Sequence, residues 1–305
     1  LLGAYLLYYW PVSWAQTTRA LRLSGMGKTF RASRVLDIGS GPGPAAAAML
    51  DMGAESVFLM DKSESALQLA KRLLGTSVAA AVRADLEHGF SSPAGPFDIV
   101  SMCHVLNELG GTTALDKKLE VIESLRTCMS KTSALLIVEP ATLDSSRNLL
   151  AVRDRLVSAG WTILSPCTQN FPCPALSAGP QHSCHDQASW TMPPLVEALA
   201  QRTGLDRSMI KMSWLLASPY GNAHQAQASA ALRVVSDPML NKAGRTRILV
   251  CGQGGRFPLS TKLAEPIGAH AVFTRLKRYD LIQIHKPEAR EGGLGLGPDS
   301  IIEEL

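Results

Sequence analysis

No apolar run in this 305-residue chain reaches the roughly 18 residues that a membrane-spanning helix requires. The opening LLGAYLLYYW is apolar but short, is followed by Pro11, and lacks the basic flank that begins a secretory signal. The chain opens on Leu1 rather than Met, which leaves the true N-terminus, and any transit peptide there, open. Charge is scarce, at 18% against 46% hydrophobic residues, which excludes a disordered chain and predicts a globular one. At this length the chain builds one large core, or one domain with a smaller addition. With no export signal in view, the six cysteines read as thiols or metal ligands rather than disulfides.

The net charge of +4 is unevenly placed. Residues 230–290 hold eleven Lys or Arg against four Asp or Glu, a surplus of +7 that leaves the rest of the chain near −3. A basic C-terminal portion on a slightly acidic body points to an anionic partner. The residues expected to meet it are Arg233, Lys242, Arg245, Arg247, Arg256, Lys262, Arg275, Lys277 and Arg278. A solvated β surface is the plainer reading of the same run.

The chain alternates short apolar strands with helical stretches. Residues 4–26 read as helix interrupted near Pro11. Strands are expected at SRVLDIG, at 56–61, 79–85, 97–105 and 134–140, with helices at 45–52, 64–74, 115–129 and 145–159. That alternation predicts a parallel sheet covered on both faces, an α/β fold of Rossmann-like type. Further on, ALRVVSDPML, TRILVCGQ and YDLIQIH have strand length and pattern between Asp-Pro, Gly-Gly and Pro breaks. The expected organisation is an N-terminal helical segment over 1–30, a cofactor domain over 31–220 that includes a cysteine-rich loop at 165–187, a basic β-rich extension over 221–287, and a flexible tail over 288–305.

VLDIGSGPG (35–43) is a glycine loop that turns sharply and lets a ligand approach a helix start. It has Pro44 where a dinucleotide fold prefers Gly or Ala. Asp37, before the glycines, gains nothing from a pyrophosphate, whereas S-adenosylmethionine (SAM) has no phosphate and carries positive charge on its sulfonium and amino groups. Asp61 ends the second strand, 24 residues after Asp37, where a carboxylate accepts hydrogen bonds from ribose hydroxyls. Asp85 ends the third expected strand, within reach of an adenine amine. Asp37, Gly39, Gly41, Gly43, Asp61 and Asp85 are therefore the expected cofactor residues; helix capping by strand-end acids does not require all three at this spacing.

The segment after the fourth strand, SMCHVLNEL (101–109), lacks the Asn/Asp-Pro-Pro-aromatic motif of base N-methyltransferases and the Pro-Cys pair of cytosine C5 enzymes. His104, Asn107 and Glu108 are polar there, and a capped helix start explains them equally well. Cofactor binding is thus better supported than catalysis.

Cys167, Cys173 and Cys184 lie in SPCTQNFPCPALSAGPQHSCH, a stretch with little apolar surface, so a bound centre or disulfides are expected to order it. Five residues separate the first two cysteines and ten separate the next pair. The tight C-x-x-C knuckles usual in structural zinc sites are absent. Four thiolates suit a 4Fe-4S cluster, with Cys251 in ILVCGQGGR as the fourth ligand or His185 in its place. Cys103 and Cys128 fall in apolar patterns and read as core thiols.

Several of these segments together resemble the mitochondrial and bacterial small-ribosomal-subunit methyltransferase-like family. AYLLYYWPVSWAQTTRAL (4–21) is similar to its N-terminal helical signature, VLDIGSGPG to its LDxGxGPG loop, and HVLNEL and EPAT (139–142) to its elements after strands four and five. PCTQNFPCP with the later Cys-His resembles its PCPHxxPCP…WCH segment, and CGQGGR its late Cys element. The likeness spans roughly 4–285. Thr168-Gln169 stand in place of the family's Pro-His, Ser183 in place of Trp, and the spacer is longer. The resemblance implies a class I SAM-dependent methyltransferase fold, a 4Fe-4S cluster on Cys167, Cys173, Cys184 and Cys251 (zinc as the alternative), and a monomer associated with the small ribosomal subunit and its rRNA. Mitochondrial matrix or bacterial cytoplasm is the implied compartment. The competing functions are an rRNA methyltransferase, a non-catalytic rRNA-binding assembly factor, and a small-molecule methyltransferase with structural zinc.

Overall fold

The structure, a computed structural model, describes residues 2–26, 33–110, 115–221, 230–240, 244–262 and 268–305. Its first sheet contains β1 (Arg34–Ile38), β2 (Ser56–Asp61), β3 (Val78–Arg83), β4 (Phe97–Cys103), β5 (Met129–Pro140), β6 (Thr162–Ser165), β7 (Asp186–Ser189) and β8 (Met209–Ser218). The order is β3-β2-β1-β4-β5-β8-β6, with β7 also paired to β8. The first five strands are parallel, as expected; β8 runs antiparallel to β5, and β6 and β7 run antiparallel to β8. This is the class I methyltransferase arrangement. The order reverses between β1 and β4, so a crevice opens beyond their carboxyl ends, where open α/β sheets bind ligands.

Alternation along β1 decides which side chain faces which layer. Leu36 and Ile38 join one buried cluster with Val100 and Met102, while Val35 joins the other with Ala20, Leu21 and Met49. Asp37 shares the face of Val35 because successive strand residues point to opposite sides. On that side pack α1 (Trp10–Leu23) and α2 (Pro44–Asp51). Pro11 does not interrupt the N-terminal helix; it sits in the first turn of α1, directly after a π-helical turn at Tyr5–Tyr9. A proline near a helix start removes only a donor that has no intrahelical partner. The remaining helices that cover the sheet are α3 (Glu64–Leu74), α4 (Leu115–Ser124) and α5 (Leu143–Ser158).

After the short α6 (Pro174–Ser177) and α7 (Pro194–Thr203), the chain builds a second sheet. It holds β9 (Leu232–Val234), β10 (Met239–Leu240), β11 (Arg245–Gly252), β12 (Gly255–Lys262), β13 (Leu281–His285), β14 (Glu288–Arg290), β15 (Gly293–Gly295) and β16 (Ile301–Glu304), with α8 (Ala269–Arg275) against it. The order is β14-β15-β12-β11-β9-β13-β16, and β10 pairs with β11. The expected β-rich extension is present, but the expectation of a flexible tail over 288–305 is corrected. β14 and β15 close one edge of this sheet and β16 pairs with β13 at the other. The glycines that suggested flexibility serve close approach: a Cβ on Gly293 would run into the Pro258 carbonyl. Leu296 and Ile302 from this segment are buried in the second core with Val234, Ile248, Val250 and Phe273.

Ending the chain at Pro287 is expected to expose that core. Burying one aliphatic side chain contributes about 1.5–3 kcal/mol, so losing Leu296 and Ile302 together should cost the second sheet about 3 kcal/mol or more in denaturant unfolding. An unchanged midpoint would show the segment to be idle.

Candidate functional site

The crevice beyond β1 and β4 contains the glycine loop. Ser40 donates its N–H to Met60 O at 3.0 Å, and Gly41 donates to Asp61 Oδ2 at 2.7 Å. Asp61 Oδ1 accepts from Ser63 N at 2.8 Å, so this carboxylate ties the loop to the end of β2 and the start of α3. Gly39, at φ 64°, is required: a Cβ there would collide with the Val105 side chain. Gly41 borders open space, with no atom within 4 Å of a Cβ placed on it, and Gly43 caps the start of α2. Asp37 is buried, accepts from Ser101 Oγ at 2.5 Å, and leaves Oδ2 without a hydrogen-bond partner. Burial raises its carboxyl to about 7, against the lowering effect of the Ser101 bond, and nearby Asp61 adds to the rise. An orphaned buried carboxylate oxygen beside an open glycine loop fits a cationic ligand such as SAM. Asp85 differs from expectation in place: β3 ends at Arg83, and Asp85 lies beyond it, half-buried, accepting from Glu87 N and paired with His88 Nδ1 at 2.9 Å. The His88 bond holds its carboxyl below the usual range.

The loop after β4 is held from below by Glu139, which had no assigned role as an individual residue. This buried carboxylate near the end of β5 accepts from Val105 N at 3.1 Å, Leu106 N at 2.9 Å and Asn107 N at 3.1 Å. With its side-chain amide turned so that the nitrogen faces these two acceptors, Asn107 donates to Glu139 Oε2 and His104 O, each at 3.0 Å. Burial outweighs these donors and raises the Glu139 carboxyl to about 7. Lys118 of α4, also buried, is its cationic neighbour and is pushed below the ordinary lysine value by desolvation. An acid at the end of a parallel strand is the same signal that marked Asp37 and Asp61, and it was available for Glu139 too.

His104 has a left-handed backbone, at φ 60°, and its N–H donates to Val138 O at 2.7 Å. Gln16 Nε2 donates to Lys211 O, so the Gln16 oxygen faces His104 and the imidazole Nε2 donates to it at 2.9 Å. Burial lowers the imidazole to about 4, so the ring is neutral at pH 7. Glu108 is exposed and lies 3.7 Å from Lys62. Cys103 is half-buried beside Thr17, and Cys128 is buried with its thiol on Leu125 O.

All four expected ligand cysteines line one cavity, together with Arg153, Arg233, Arg256 and Tyr279. All four thiols are pushed up by burial, and Cys251 reaches about 12, with Cys167, Cys184 and Cys173 adding to that rise. His185 is not among the cavity residues; its Nδ1 is buried without a partner elsewhere. Among the described residues, no three His, Cys, Asp or Glu side chains converge closely enough to hold a single metal ion.

The expectation that only a bound centre or disulfides order the cysteine loop is corrected. All six cysteines are free, and α5 already holds the loop. Arg153 donates to Gln169 O at 2.6 Å and to Phe171 O, Arg147 donates to Gly179 O and His182 O at 2.8 Å, and Asp154 accepts from Cys173 N at 3.0 Å. Guanidinium groups satisfy carbonyls that the apolar-poor loop does not satisfy itself.

The basic residues of 230–290 divide. Arg233 is buried, donating to Pro166 O at 2.9 Å and Tyr279 O at 2.7 Å. Arg256 lines the cysteine cavity, and Arg278 pairs with Asp237 at 3.1 Å while donating to His185 O. These three are corrected from partner contacts to internal ones. Lys242 lies outside the described residues. Arg245, Arg247 and Lys262 lie on the β11–β12 hairpin, with Arg245 opposite Lys262, and Arg247 is exposed. Arg275 faces Glu304 at 3.5 Å, and Lys277 is exposed.

A family described as mitochondrial small ribosomal subunit Rsm22 matches residues 2–265. No curated protein matches the sequence. Similar solved structures include magnesium protoporphyrin IX methyltransferase from Synechocystis PCC 6803 with bound SAM, at 13% identity and TM-score 0.43 over 68% of this chain and 79% of that one. A putative RNA methyltransferase from Pyrococcus horikoshii is similar at 12% identity and TM-score 0.41, over 66% and 83% of the two chains. A SAM-dependent methyltransferase from Leishmania major is similar at 15% identity and TM-score 0.40, over 61% and 64%.

Replacing Glu139 by Ala strips three backbone donors of their acceptor. At about 1–3 kcal/mol for each unsatisfied buried group, the loss should be about 3 kcal/mol or more, with faster amide exchange at Val105, Leu106 and Asn107. In the wild type the folded carboxyl is raised from 4.5 to about 7, so its contribution is full below about 4.5 and falls as pH rises towards 7. Glu139→Gln should remove the Glu139 part of that slope from the unfolding free energy measured between pH 5 and 7, leaving the part that Asp37 contributes in the same range. A slope as steep in the variant as in the wild type would place the titration elsewhere.

Proposed function

Because this chain belongs to the family described as mitochondrial small ribosomal subunit Rsm22, we propose that it acts in small-subunit assembly as a SAM-binding, iron–sulfur-containing, methyltransferase-like protein that contacts rRNA. The observation that carries this reading is the cavity in which Cys251, from the C-terminal sheet, meets Cys167, Cys173 and Cys184, from the loop of the first sheet. The donor set is all thiol, which suits both zinc and iron–sulfur centres. The four thiols stand around one cavity, an arrangement that suits the larger 4Fe-4S centre. Bound there, such a centre would clip the second sheet onto the first. The outer face of β11 carries Arg245 and Arg247 at one end and Cys251 at the other, so the clip and the basic face share one strand. Phosphate contacts from that face make affinity for rRNA fall with salt.

SAM is the cofactor in this reading. Asp37 supplies the negative charge for its cationic groups, Gly39, Gly41 and Gly43 shape the loop beside it, Asp61 has further lone pairs for ribose hydroxyls, and Asp85 serves the adenine amine. SAM would supply a methyl group there. The mitochondrial matrix is the compartment that suits the family description, with the bacterial cytoplasm for bacterial relatives.

One observation favours a second reading, an assembly factor that binds SAM without transferring its methyl. Two of the three polar groups of the loop after β4 are engaged internally: Asn107 with Glu139, and His104 with Gln16. They hold the loop instead of addressing an acceptor.

Anaerobically purified protein is expected to hold about four iron and four sulfide per chain and to bind small-subunit rRNA. Cys251→Ser should lose at least the ~10-fold in metal affinity that even outer partners of a metal site contribute, and should weaken rRNA binding with it. A colourless protein holding one zinc would overturn the iron–sulfur reading, and full rRNA affinity in the variant would reject the clip.

SAM affinity should depend on pH through Asp37. Below about 7 this carboxyl is protonated in the ligand-free protein, and a cationic ligand must first ionise it. Calorimetric binding should be roughly tenfold weaker at pH 6 than at pH 8, since one pKa unit is a tenfold change. Asp37→Asn should bind weakly with no such slope; a wild-type affinity flat across this range would remove Asp37 from the cofactor site.

A further inference from the structure

The cysteine cavity contains more positive charge than its loop needs. Arg153 is neutralised by Asp154 at 2.6 Å, and Arg233 is engaged by two carbonyls. Arg256 has no carboxylate partner among the described residues; its Nε is buried without a hydrogen bond, and Nη1 has only a long contact to Ser183 O at 3.4 Å. In the β11–β12 hairpin it stands directly opposite Cys251. A guanidinium lining a largely apolar cavity without a counter-ion is unfavourable unless the occupant of that cavity is itself anionic.

Tyr279 points to the same occupant. It is buried in the core of the first sheet although it belongs to the second, and its ring centroid lies 6.0 Å from that of Trp214. Its backbone is left-handed, at φ 71°, a genuine outlier for a bulky side chain. That conformation is held by Tyr279 N–H on Val234 O at 2.8 Å and by Arg233 on its carbonyl. The hydroxyl lies 3.4 Å from Cys184 Sγ. When Cys184 is a thiolate ligand, the phenol O–H is the only donor of the two.

We propose that Tyr279 and Arg256 are positioning residues that raise the reduction potential of the four-thiol centre, so that its potential senses whether the C-terminal sheet is docked. This rests on the iron–sulfur reading above. Hydrogen bonds to ligand sulfurs and nearby positive charge favour the more anionic, reduced state. Both groups come from the second sheet, as does the ligand Cys251, so a displacement of that sheet short of releasing Cys251 withdraws both. By reciprocity, the reduced centre holds that sheet more tightly than the oxidised one.

The test is an anaerobic redox titration of the iron-loaded full chain, followed by electron paramagnetic resonance. Dithionite supplies one electron to the centre, and no bond is made or broken. Tyr279→Phe keeps the ring against Trp214 and removes only the donor; Arg256→Met removes the charge. Each is expected to lower the midpoint by up to a tenfold change in the one-electron equilibrium, about 59 mV, with Arg256→Lys recovering most of the loss. Arg155→Met, at a surface pair with Asp116, should leave it unchanged. Should Arg256→Met fail to load iron, Tyr279→Phe decides. Unchanged midpoints in loaded variants would overturn this inference alone, whereas wild-type protein without iron and sulfide would overturn the centre itself and the inference with it.

Discussion

The buried guanidinium of Arg233 joins the two halves of the molecule. From β9 it donates to Pro166 O, at the mouth of the cysteine loop, and to Tyr279 O, within the second sheet. Both acceptors are backbone carbonyls, and burial would leave them costly without a donor. The arrangement places β11, the neighbour of β9, with Cys251 towards the loop that carries the other three thiols. It also holds Tyr279 in its left-handed turn, from which the hydroxyl reaches Cys184. The cavity, its charge and its link to the basic hairpin therefore depend on one side chain whose charge is satisfied by main-chain dipoles.

The first sheet works through a different constraint, the burial of acids. Asp37 and Glu139 both lie near the carboxyl ends of parallel strands, and burial raises both to about 7. Their uses differ because their partners differ. Glu139 has three backbone donors and stabilises the loop after β4. Asp37 has one hydroxyl donor and an unpartnered oxygen, which leaves a need that a cation meets. The same burial makes one carboxylate a scaffold and leaves the next with an oxygen that no group of the chain satisfies.

The strand-end acids and the glycine loop were legible because each depends on local chain geometry. An apolar run of strand length ends, a glycine permits the turn, and the adjacent acid must lie near the crevice. Asp37 and Asp61 follow directly, and Glu139 was readable by the same rule. The tail was not legible, because the same glycines permit flexibility or close packing, and only the Pro258 carbonyl beside Gly293 distinguishes them. The cysteine loop was misjudged for a similar reason: its anchors, Arg147, Arg153 and Asp154, lie on a helix whose facing partner no local pattern reveals.

The sequence by itself determined the alternating α/β order, the glycine loop with the acids on the two strands beside it, and the four cysteines that line one cavity, since these rest on period, turn chemistry and residue type. Only the tertiary structure decided which charges face outward. Arg233, Arg256 and Arg278 belong to the same basic run as Arg247, yet the first three turn inward to carbonyls, a thiol cavity and Asp237. Net charge along a chain is additive, but whether a guanidinium meets solvent or a buried acceptor depends on what the fold packs against it.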